Sequence, residues 1–280
     1  MKEFENKVAV ITGAAEGIGK AIAQEAARRG MRLVLADLNE AALAATVEEF
    51  ERAGAAVVPV TVDVSDEAGV QNLADVAFSR WGTVSLLVNN AGVALAKTAW
   101  TTTAKDWEWV MGVNLYGVTN GLRAFLPRML EGAEAGHVVN VASIAGLLSE
   151  PGLAAYNASK FAVVAVSESL QHDLTLRKAP IRVSVLCPGW VRTRIAEAER
   201  HRDPSERSDL RLEDAATQHV GLAMRKAVAE GMAVEEVARA TFQAVVEDRF
   251  YILTHPKTRD AVRTRMEDVL NDRGPSLLPI

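Results

Sequence analysis

The segment Val8-Ala-Val-Ile-Thr-Gly-Ala-Ala-Glu-Gly-Ile-Gly19 joins a short apolar run to a glycine-rich turn, and residues 20–29 continue with helical spacing. An almost continuously apolar run of this length is typical of a strand buried on both faces of a parallel sheet. Gly13, Gly17 and Gly19 permit a tight turn and allow backbone N–H groups to approach a ligand. The order strand, turn, helix predicts a pyrophosphate site at the helix N-terminus. A glycine-rich turn alone is weak support, because any tight turn uses glycine.

Similar short apolar runs recur along the chain and alternate with longer segments rich in alanine, glutamate and arginine, such as residues 40–52. The runs lie at residues 33–36, 57–60, 86–88, 138–141, 183–186 and, as a last strand at the sheet edge, 250–253. This alternation predicts an α/β fold with right-handed crossovers. We expect a Rossmann-like, doubly wound parallel sheet of about seven strands, flanked by helices in a three-layer sandwich, with ligands at the carboxyl ends of the strands.

The chain shows no internal repeat and no low-complexity linker, so residues 1–280 are predicted to form a single domain. The pattern changes after Pro188-Gly189, because residues 195–232 are charged and are expected to be irregular. We predict a substrate lid within about 190–232, although its most polar part, 201–214, could instead be a solvated insertion. Helical spacing returns at 234–246 and at 259–270, and residues 256–280 are predicted to be a C-terminal extension with an irregular tail.

Composition disfavours several classes of function. The 280 residues carry a net charge of −5 and no basic block, so a nucleic-acid partner is not expected. The chain has no run of about 18 apolar residues and no secretory signal. Its single cysteine, Cys187, cannot form an intrachain disulfide, so we expect a cytoplasmic protein without a membrane segment. The five histidines are dispersed and predict no metal site.

Asp37 closes the second apolar run and follows the glycine turn at the distance typical of a dinucleotide site. Such a carboxylate binds the adenosine ribose hydroxyls and repels a 2′-phosphate. The next residue, Leu38, is not basic, and Glu16 occupies the turn position where a basic residue could meet a phosphate. The pattern therefore favours NAD(H) over NADP(H). Alternatively, Asp37 caps the helix that follows it.

A second group of polar residues follows the fifth apolar run. Ser143 lies at its carboxyl end, and Tyr156 and Lys160 stand four residues apart, on one face of a predicted helix. A free phenol titrates near pH 10 and is a poor base at neutrality. An ammonium group one turn away would favour the phenolate, so Tyr156 could exchange a proton with a substrate oxygen. The Tyr-x-x-x-Lys spacing alone occurs often by chance.

Taken together, these residues resemble the short-chain dehydrogenase/reductase family over nearly the whole chain, to about residue 255. Thr12 to Gly19 is similar to the family's cofactor turn, and Asn89-Asn-Ala-Gly92 to its fourth-strand motif. The resemblance implies a catalytic set of Asn114, Ser143, Tyr156 and Lys160. It implies cofactor contacts by Gly13, Glu16, Gly17, Ile18, Gly19, Asp37, Leu38, Asp63, Val64, Asn90, Ala91, Gly92, Tyr156, Lys160, Pro188, Gly189, Val191 and Thr193.

The resemblance also implies a reaction, the NAD(H)-dependent interconversion of a secondary alcohol and a ketone. Tyr156 would donate a proton to the carbonyl oxygen in reduction and accept it in oxidation, with Ser143 hydrogen-bonded to the same oxygen. Lys160 would favour the phenolate and hold the nicotinamide ribose, and Asn114 would hold a water molecule. Pro188-Gly189 and Thr193 would cover the nicotinamide. The alternative is a catalytically silent dinucleotide-binding regulatory or scaffold protein, which would be expected to lack part of this set.

The residues expected to contact the substrate are mostly apolar. Residues 144–148, Leu153 and Trp190 are apolar or aromatic, and Glu150 is the nearby exception, so we expect a hydrophobic or aromatic alcohol or ketone. Residues 195–198 and 250–256 are similar to segments of dehydrogenases that act on aryl-substituted alcohols, but an aldehyde, a steroid or a cyclic diol would fit almost as well. The family resemblance and the apolar segment 161–166 predict a homodimer or homotetramer.

Overall fold

A seven-stranded parallel sheet forms the middle layer of the computed structural model, which describes residues 1–132, 134–208 and 213–278. In chain order the strands are β1 Val8–Thr12, β2 Arg32–Asp37, β3 Val57–Thr61, β4 Leu86–Asn89, β5 Gly136–Val141, β6 Ile181–Cys187 and β7 Tyr251–Leu253. Their spatial order is β3-β2-β1-β4-β5-β6-β7, with β7 at the edge as predicted. Each pair is parallel, so all strands end at one edge, called the carboxyl edge below.

Helices cover both faces of this sheet and complete the predicted three layers. They are α1 Gly17–Arg28, α2 Glu40–Arg52, α3 Glu67–Trp81, α4 Ala104–Met111, α5 Gly117–Glu131, α6 Ala154–Leu176, α7 Ala215–Ala229, α8 Val234–Val246 and α9 Thr258–Leu270. Successive strand residues point to opposite faces: Ala9 and Ile11 pack with α1, α2 and α8, whereas Val8 and Val10 pack with α3, α5 and α6. This alternation explains why the strands in the middle of the sheet are largely apolar.

The chain order of the strands creates a crevice at the carboxyl edge. From β1 the chain moves outward to β2 and β3, then returns to place β4 on the other side of β1. In sheets of this kind the crevice between the two directions of winding is the usual ligand site. The glycine turn after β1 and the polar residues after β4 and β5 therefore face the same crevice.

One expectation for the segment after β6 is wrong. The charged residues 195–232 predict irregular chain, but α7 occupies Ala215–Ala229 within them. Its buried residues Thr217, Gly221, Met224 and Val228 have helical spacing, and the Asp214 side chain accepts from Thr217 N at 2.9 Å as an N-cap. The charged residues of this segment obscure that pattern. Residues 209–212 of the predicted lid and 279–280 of the C-terminal extension lie outside the described residues.

No helix in the described part of the chain is long and apolar enough to cross a membrane.

His137 lies near the amino end of β5, far from the carboxyl edge, and is fully buried. Its Nε2 is 2.8 Å from the Ser184 hydroxyl, which itself donates to the Arg249 carbonyl oxygen at 2.7 Å. Nε2 therefore carries the ring hydrogen, and Nδ1 finds no partner among the described residues. Burial lowers the pKa of His137 to about 3.

This buried histidine predicts an acid-sensitive fold. In the unfolded chain histidine binds a proton below about pH 6.5, whereas folded His137 does so only near pH 3. The unfolded state thus binds more protons in that window, and the free energy of unfolding falls as pH falls. At about 1.4 kcal/mol per pH unit, the loss by pH 4.5 is roughly 2–3 kcal/mol. Urea unfolding at pH 7 and 4.5 should show a smaller pH dependence for His137→Gln than for wild type. His172 is exposed, so His172→Gln should show the same pH dependence of the free energy of unfolding as wild type. The prediction would be contradicted if His137→Gln also kept the wild-type pH dependence.

Candidate active site

A cavity of about 370 Å³ opens at the carboxyl edge and brings together most of the residues singled out in the sequence. Ser143, Tyr156 and Lys160 line it. So do the predicted cofactor residues Gly13, Glu16, Gly17, Ile18, Asp37, Leu38, Asp63, Val64, Asn90, Ala91, Gly92, Pro188, Gly189, Val191 and Thr193. Gly19 and Asn114 do not line the cavity. Gly19 packs against Gly13 and Asn90, which do line it, and Asn114 lies close to Gly92.

The glycine turn between β1 and α1 has a shape that side chains would prevent. Gly13 and Gly17 have φ angles of +62° and +58°, in the left-handed region. A methyl group at Gly19 would overlap the Gly13 carbonyl oxygen and lie 2.5 Å from Asn90 Nδ2. Glu16 precedes α1 without capping it through its side chain, which leaves the first-turn N–H groups free to bind an anion. The turn therefore fits a dinucleotide pyrophosphate.

Substituting Gly19 with alanine should weaken NADH binding at least about tenfold, because the added methyl group displaces the Gly13 carbonyl and the Asn90 side chain. Calorimetric titration of NADH into the variant measures the loss, and circular dichroism shows whether the variant still folds. Gly274→Ala is the matched control, since no atom lies within 4 Å of a methyl group there. Wild-type affinity in a folded Gly19→Ala protein would contradict this account of the turn.

Asp37 holds the turn and the start of the next helix together. Its Oδ2 accepts from Ala15 N at 3.0 Å, and its Oδ1 accepts from Asn39 N at 2.9 Å. The N-cap of α2 is Asn39, whose Oδ1 accepts from Ala42 N at 3.1 Å. The alternative interpretation of Asp37 as the helix cap is therefore wrong. Its carboxylate borders the cavity at the end of β2.

The negative charge of Glu16 is compensated by two arginines that no sequence pattern connects to it. Arg200 Nη2 donates to Glu16 Oε1, and Arg194 Nη1 lies 3.6 Å from Glu16 Oε2. Both arginines also line the cavity. The carboxylate of Glu16 is therefore not an isolated negative charge, which weakens its part of the sequence argument for NAD(H) over NADP(H). The carboxylate of Asp37 and the two arginines border the same cavity.

The catalytic candidates converge from β5 and α6. Ser143 follows β5 and caps the 3₁₀ turn Ile144–Gly146, with its Oγ accepting from Ala145 N at 3.1 Å. As the spacing predicts, Tyr156 and Lys160 lie in the first two turns of one helix, α6. Lys160 Nζ donates to the Val141 carbonyl oxygen at 2.9 Å and lies 5.7 Å from the centre of the Tyr156 ring.

Burial dominates the protonation of these two groups. It raises the pKa of Tyr156 to about 12, with a hydrogen bond from Ser143 acting in the opposite direction. It lowers the pKa of Lys160 to about 8. The expectation that Lys160 lowers the pKa of Tyr156 is wrong for the protein by itself, because desolvation of the phenolate is the larger effect and the ammonium group is directed at a backbone carbonyl.

Asn114 is fully buried in a π-helical segment, Gly112–Tyr116, between α4 and α5. Its Nδ2 donates to the Val93 carbonyl oxygen and to Ser159 Oγ, both at 2.9 Å, and its Oδ1 accepts from Val93 N at 2.8 Å. A methyl group at Gly92 would lie 3.4 Å from both Asn114 Oδ1 and Lys160 Nζ. Asn114 thus ties the segment after β4 to α6, close behind Lys160. Since both amide hydrogens are engaged, the predicted water could not accept a bond from this side chain.

Apolar residues enclose the part of the cavity beside Tyr156. Leu153, Met224 and Val228 form one cluster with Tyr156, and Trp190 packs against it. Trp109 also lines the cavity, although its sequence context predicts no role for it there. Its ring lies 5.1 Å from the Arg202 guanidinium carbon.

A buried ionic cluster anchors the predicted lid to α4. Arg202 Nη1 donates to Asp106 Oδ1 at 2.6 Å, and Lys97 Nζ donates to Asp106 Oδ2 at 3.0 Å. Arg202 is 3% exposed and Asp106 2% exposed, so these charges are well shielded from water. The chain between the 3₁₀ turns Ile195–His201 and Pro204–Glu206 is thereby fixed over the cavity. No short sequence motif marks this contact, because its partners lie about a hundred residues apart.

Across residues 1–132, 134–208 and 213–278, no three histidine, cysteine or acidic side chains are grouped as a metal site would require. Cys187 is buried and unpaired at the end of β6.

Comparison with known proteins agrees with this geometry. The family model for short chain dehydrogenase matches residues 7–204. A CLA biosynthesis dehydrogenase/reductase of Lactiplantibacillus plantarum is 37% identical over 99% of this chain and 98% of its own. A 1-deoxy-11-beta-hydroxypentalenate dehydrogenase of Streptomyces avermitilis is 36% identical over 96% of this chain and 90% of its own.

A solved structure is similar over the whole length. It is a short chain dehydrogenase/reductase from Burkholderia phymatum in complex with NAD, with 48% identity and a TM-score of 0.96. The superposition covers 100% of this chain and 99% of the other. The matching family model, the seven-stranded Rossmann-like sheet and the glycine turn agree. The chain belongs to the short-chain dehydrogenase/reductase family of oxidoreductases, which bind a nicotinamide dinucleotide.

Proposed function

We propose that the protein is an NAD(H)-dependent oxidoreductase that interconverts a hydrophobic or aromatic secondary alcohol and the corresponding ketone, with Tyr156 as general acid and base. The observation that carries this proposal is the cavity, which is lined both by the glycine turn and by Ser143, Tyr156 and Lys160. The side chain of the N-cap residue Glu16 does not cap helix α1, which follows this turn. A relative named as a hydroxypentalenate dehydrogenase supports an alcohol substrate, and the NAD complex of the Burkholderia relative supports the cofactor.

In this proposal the residues bordering the cavity would bind separate parts of the cofactor. The turn from Gly13 to Gly19 and the N-terminus of α1 would hold the pyrophosphate, and Asp37 the adenosine ribose. Asp63 would border the adenine, and Lys160 would bind the nicotinamide ribose. When bound, the cofactor supplies or accepts the hydride, and side chains of the protein handle the proton.

Tyr156 is the group that moves the proton. With a pKa near 12 it keeps its hydrogen at neutral pH, so it can donate to the oxygen of a ketone being reduced. In oxidation Tyr156 must first be the phenolate, which then accepts the proton of the alcohol. Lys160, with a pKa near 8, is mostly charged at neutral pH, and it would favour this phenolate once the cofactor is bound. The Ser143 hydroxyl holds the substrate oxygen within reach of Tyr156.

The apolar end of the cavity supports the proposed substrate class. Leu153, Met224 and Val228 offer hydrocarbon contacts, and Trp190 and Trp109 offer aromatic ones.

We further propose that residues 190–232 act as the substrate lid, supported by the position of the two 3₁₀ turns and α7 over the cavity. Assembly into a homodimer or homotetramer is supported by Tyr116, an aromatic residue that is 56% exposed at the end of the π-helical segment carrying Asn114.

A screen of secondary alcohols with NAD⁺, together with calorimetric titration of NADH and NADPH, tests the proposal. Tight NADH binding and production of NADH from at least one hydrophobic alcohol are expected. NADH binding without turnover of any alcohol or ketone would favour the silent scaffold protein, and absence of binding of both dinucleotides would contradict both functions.

A further inference from the structure

Glu150 is a carboxyl-bearing residue of the cavity that the proposed mechanism does not use. It lies between the 3₁₀ turn after Ser143 and the start of α6, and it lines the cavity with Ser143 and Tyr156. Asn157 Nδ2, on the residue next to Tyr156, donates to the Glu150 carbonyl oxygen at 2.8 Å. The main chain of Glu150 is therefore fixed to the first turn of the helix that carries Tyr156.

The Glu150 carboxyl differs from the other acidic groups of the cavity because it has no hydrogen-bond or ion-pair partner among the described residues. Asp37 accepts two backbone N–H groups, Glu16 pairs with arginines, and Glu206 pairs with Lys105. Among the described residues no donor and no cation pairs with the carboxyl of Glu150, and burial raises its pKa to about 7. A partly buried carboxyl without a partner destabilises a fold. Its place in the structure is therefore not explained by stability.

The surroundings of Glu150 define what could bind it. The same cavity is lined by Leu153, Met224 and Val228, whose side chains offer no hydrogen bonds. In an apolar site of this kind, a few polar groups fix the orientation of the ligand. Glu150 and Tyr156 line the same cavity. Burial is the main cause of the raised pKa of Tyr156, and the charge of Glu150 adds to it. A group bound to Glu150 would thus belong to the molecule that reacts at Tyr156.

We propose that Glu150 is a specificity-determining residue that binds a second hydroxyl group of the substrate, which makes the preferred substrate a hydroxylated hydrophobic secondary alcohol or its hydroxyketone. This inference rests on the proposed function and narrows its substrate class. A hydroxyl group can donate to the carboxylate and accept from the carboxylic acid, so it pairs with Glu150 in both protonation states. A carboxylate on the substrate would be repelled by ionised Glu150, and an ammonium group would pair only with that ionised state.

The test measures binding rather than turnover. Styrene glycol, α-methylbenzyl alcohol and phenylethanolamine, which differ only in the second polar group, are titrated by calorimetry into enzyme saturated with NADH, with which these alcohols cannot react. Wild type should bind the glycol about tenfold more tightly than the monohydroxy alcohol, as one hydrogen bond to a carboxyl predicts. Glu150→Leu should lose this preference, and Glu150→Gln should keep most of it because an amide also donates and accepts. Glu206→Gln, at a carboxyl that already has a partner, should keep the wild-type ratio.

Equal affinity of wild type for the glycol and the monohydroxy alcohol would overturn the proposal, as would an unchanged preference in Glu150→Leu. Tighter binding of phenylethanolamine than of the glycol would also overturn it and assign an ammonium ligand to Glu150. The proposed function is judged separately, by NADH production from α-methylbenzyl alcohol and NAD⁺ with wild type. A protein that oxidises this alcohol but shows no glycol preference retains the proposed function and lacks the proposed specificity.

Discussion

Replacing Tyr156 with phenylalanine is expected to lower kcat by about 10²- to 10⁴-fold while NADH affinity stays within about twofold of wild type. General acid–base groups contribute roughly 10²–10⁴ in rate, and no other phenol lines the cavity formed by the described residues. The hydroxyl is the only group removed, and the ring still packs beside the apolar cluster of Leu153 and Met224. Steady-state kinetics with the best alcohol from the screen measure kcat, and calorimetry measures NADH affinity.

Two variants separate loss of chemistry from loss of structure. Tyr251→Phe removes a hydroxyl that donates to Glu168 outside the cavity, and it should keep wild-type turnover. Ser143→Ala removes the group expected to hold the substrate oxygen, and it should lower kcat by about tenfold or more without weakening NADH binding. Turnover within tenfold of wild type in Tyr156→Phe would contradict the assignment of Tyr156 as acid and base.

The fold could be predicted from the sequence because its determinants are local. Most strands of the sheet are short, largely apolar runs, since a strand covered on both faces has no solvent-facing side. The glycine turn and the Tyr-x-x-x-Lys spacing are local as well, and both place their residues at strand or helix ends. Once the strands are parallel, the carboxyl edge collects Gly13, Asp37, Asn90 and Ser143 into one crevice without any further information.

The sequence could not predict contacts between side chains that are distant along the chain. Glu16 and Arg200 are separated by 184 positions, and Asp106 and Arg202 by 96, so no spacing rule connects them. The effect of burial on Tyr156 was also hidden, because desolvation depends on the packed cavity rather than on the neighbouring lysine. Helix α7 is a different case, since its buried positions do have helical spacing but stand among charged residues.

Removing the charge of Asp37 is expected to change cofactor preference by about 10²- to 10³-fold. Like charges about 4 Å apart at a partly shielded site repel each other by roughly 4 kcal/mol, and each 1.4 kcal/mol is a factor of about ten. Wild type should therefore bind NADH at least about a hundredfold more tightly than NADPH. In Asp37→Ala the two affinities should lie within about tenfold of each other, mainly because NADPH binding is strengthened. Calorimetric titration of both dinucleotides measures the ratio.

Further variants separate the charge of Asp37 from its two hydrogen bonds to Ala15 N and Asn39 N. Asp37→Asn keeps an acceptor oxygen and removes the charge, so it should relax the preference as Asp37→Ala does while disturbing the turn less. Asp173→Ala, an exposed carboxylate on α6, should leave the ratio unchanged.

Arg194 and Arg200 allow a further test of how charge sets the preference between NADH and NADPH. Both line the cavity and are engaged by Glu16, so Glu16→Gln combined with Asp37→Asn should free them to attract a 2′-phosphate and turn the preference toward NADPH. If wild type already prefers NADPH, the two arginines outweigh Asp37 even when paired, and the proposed preference for NAD(H) is wrong. If the double variant binds NADPH no better than Asp37→Asn, the arginines serve only to hold residues 194–200 against the glycine turn.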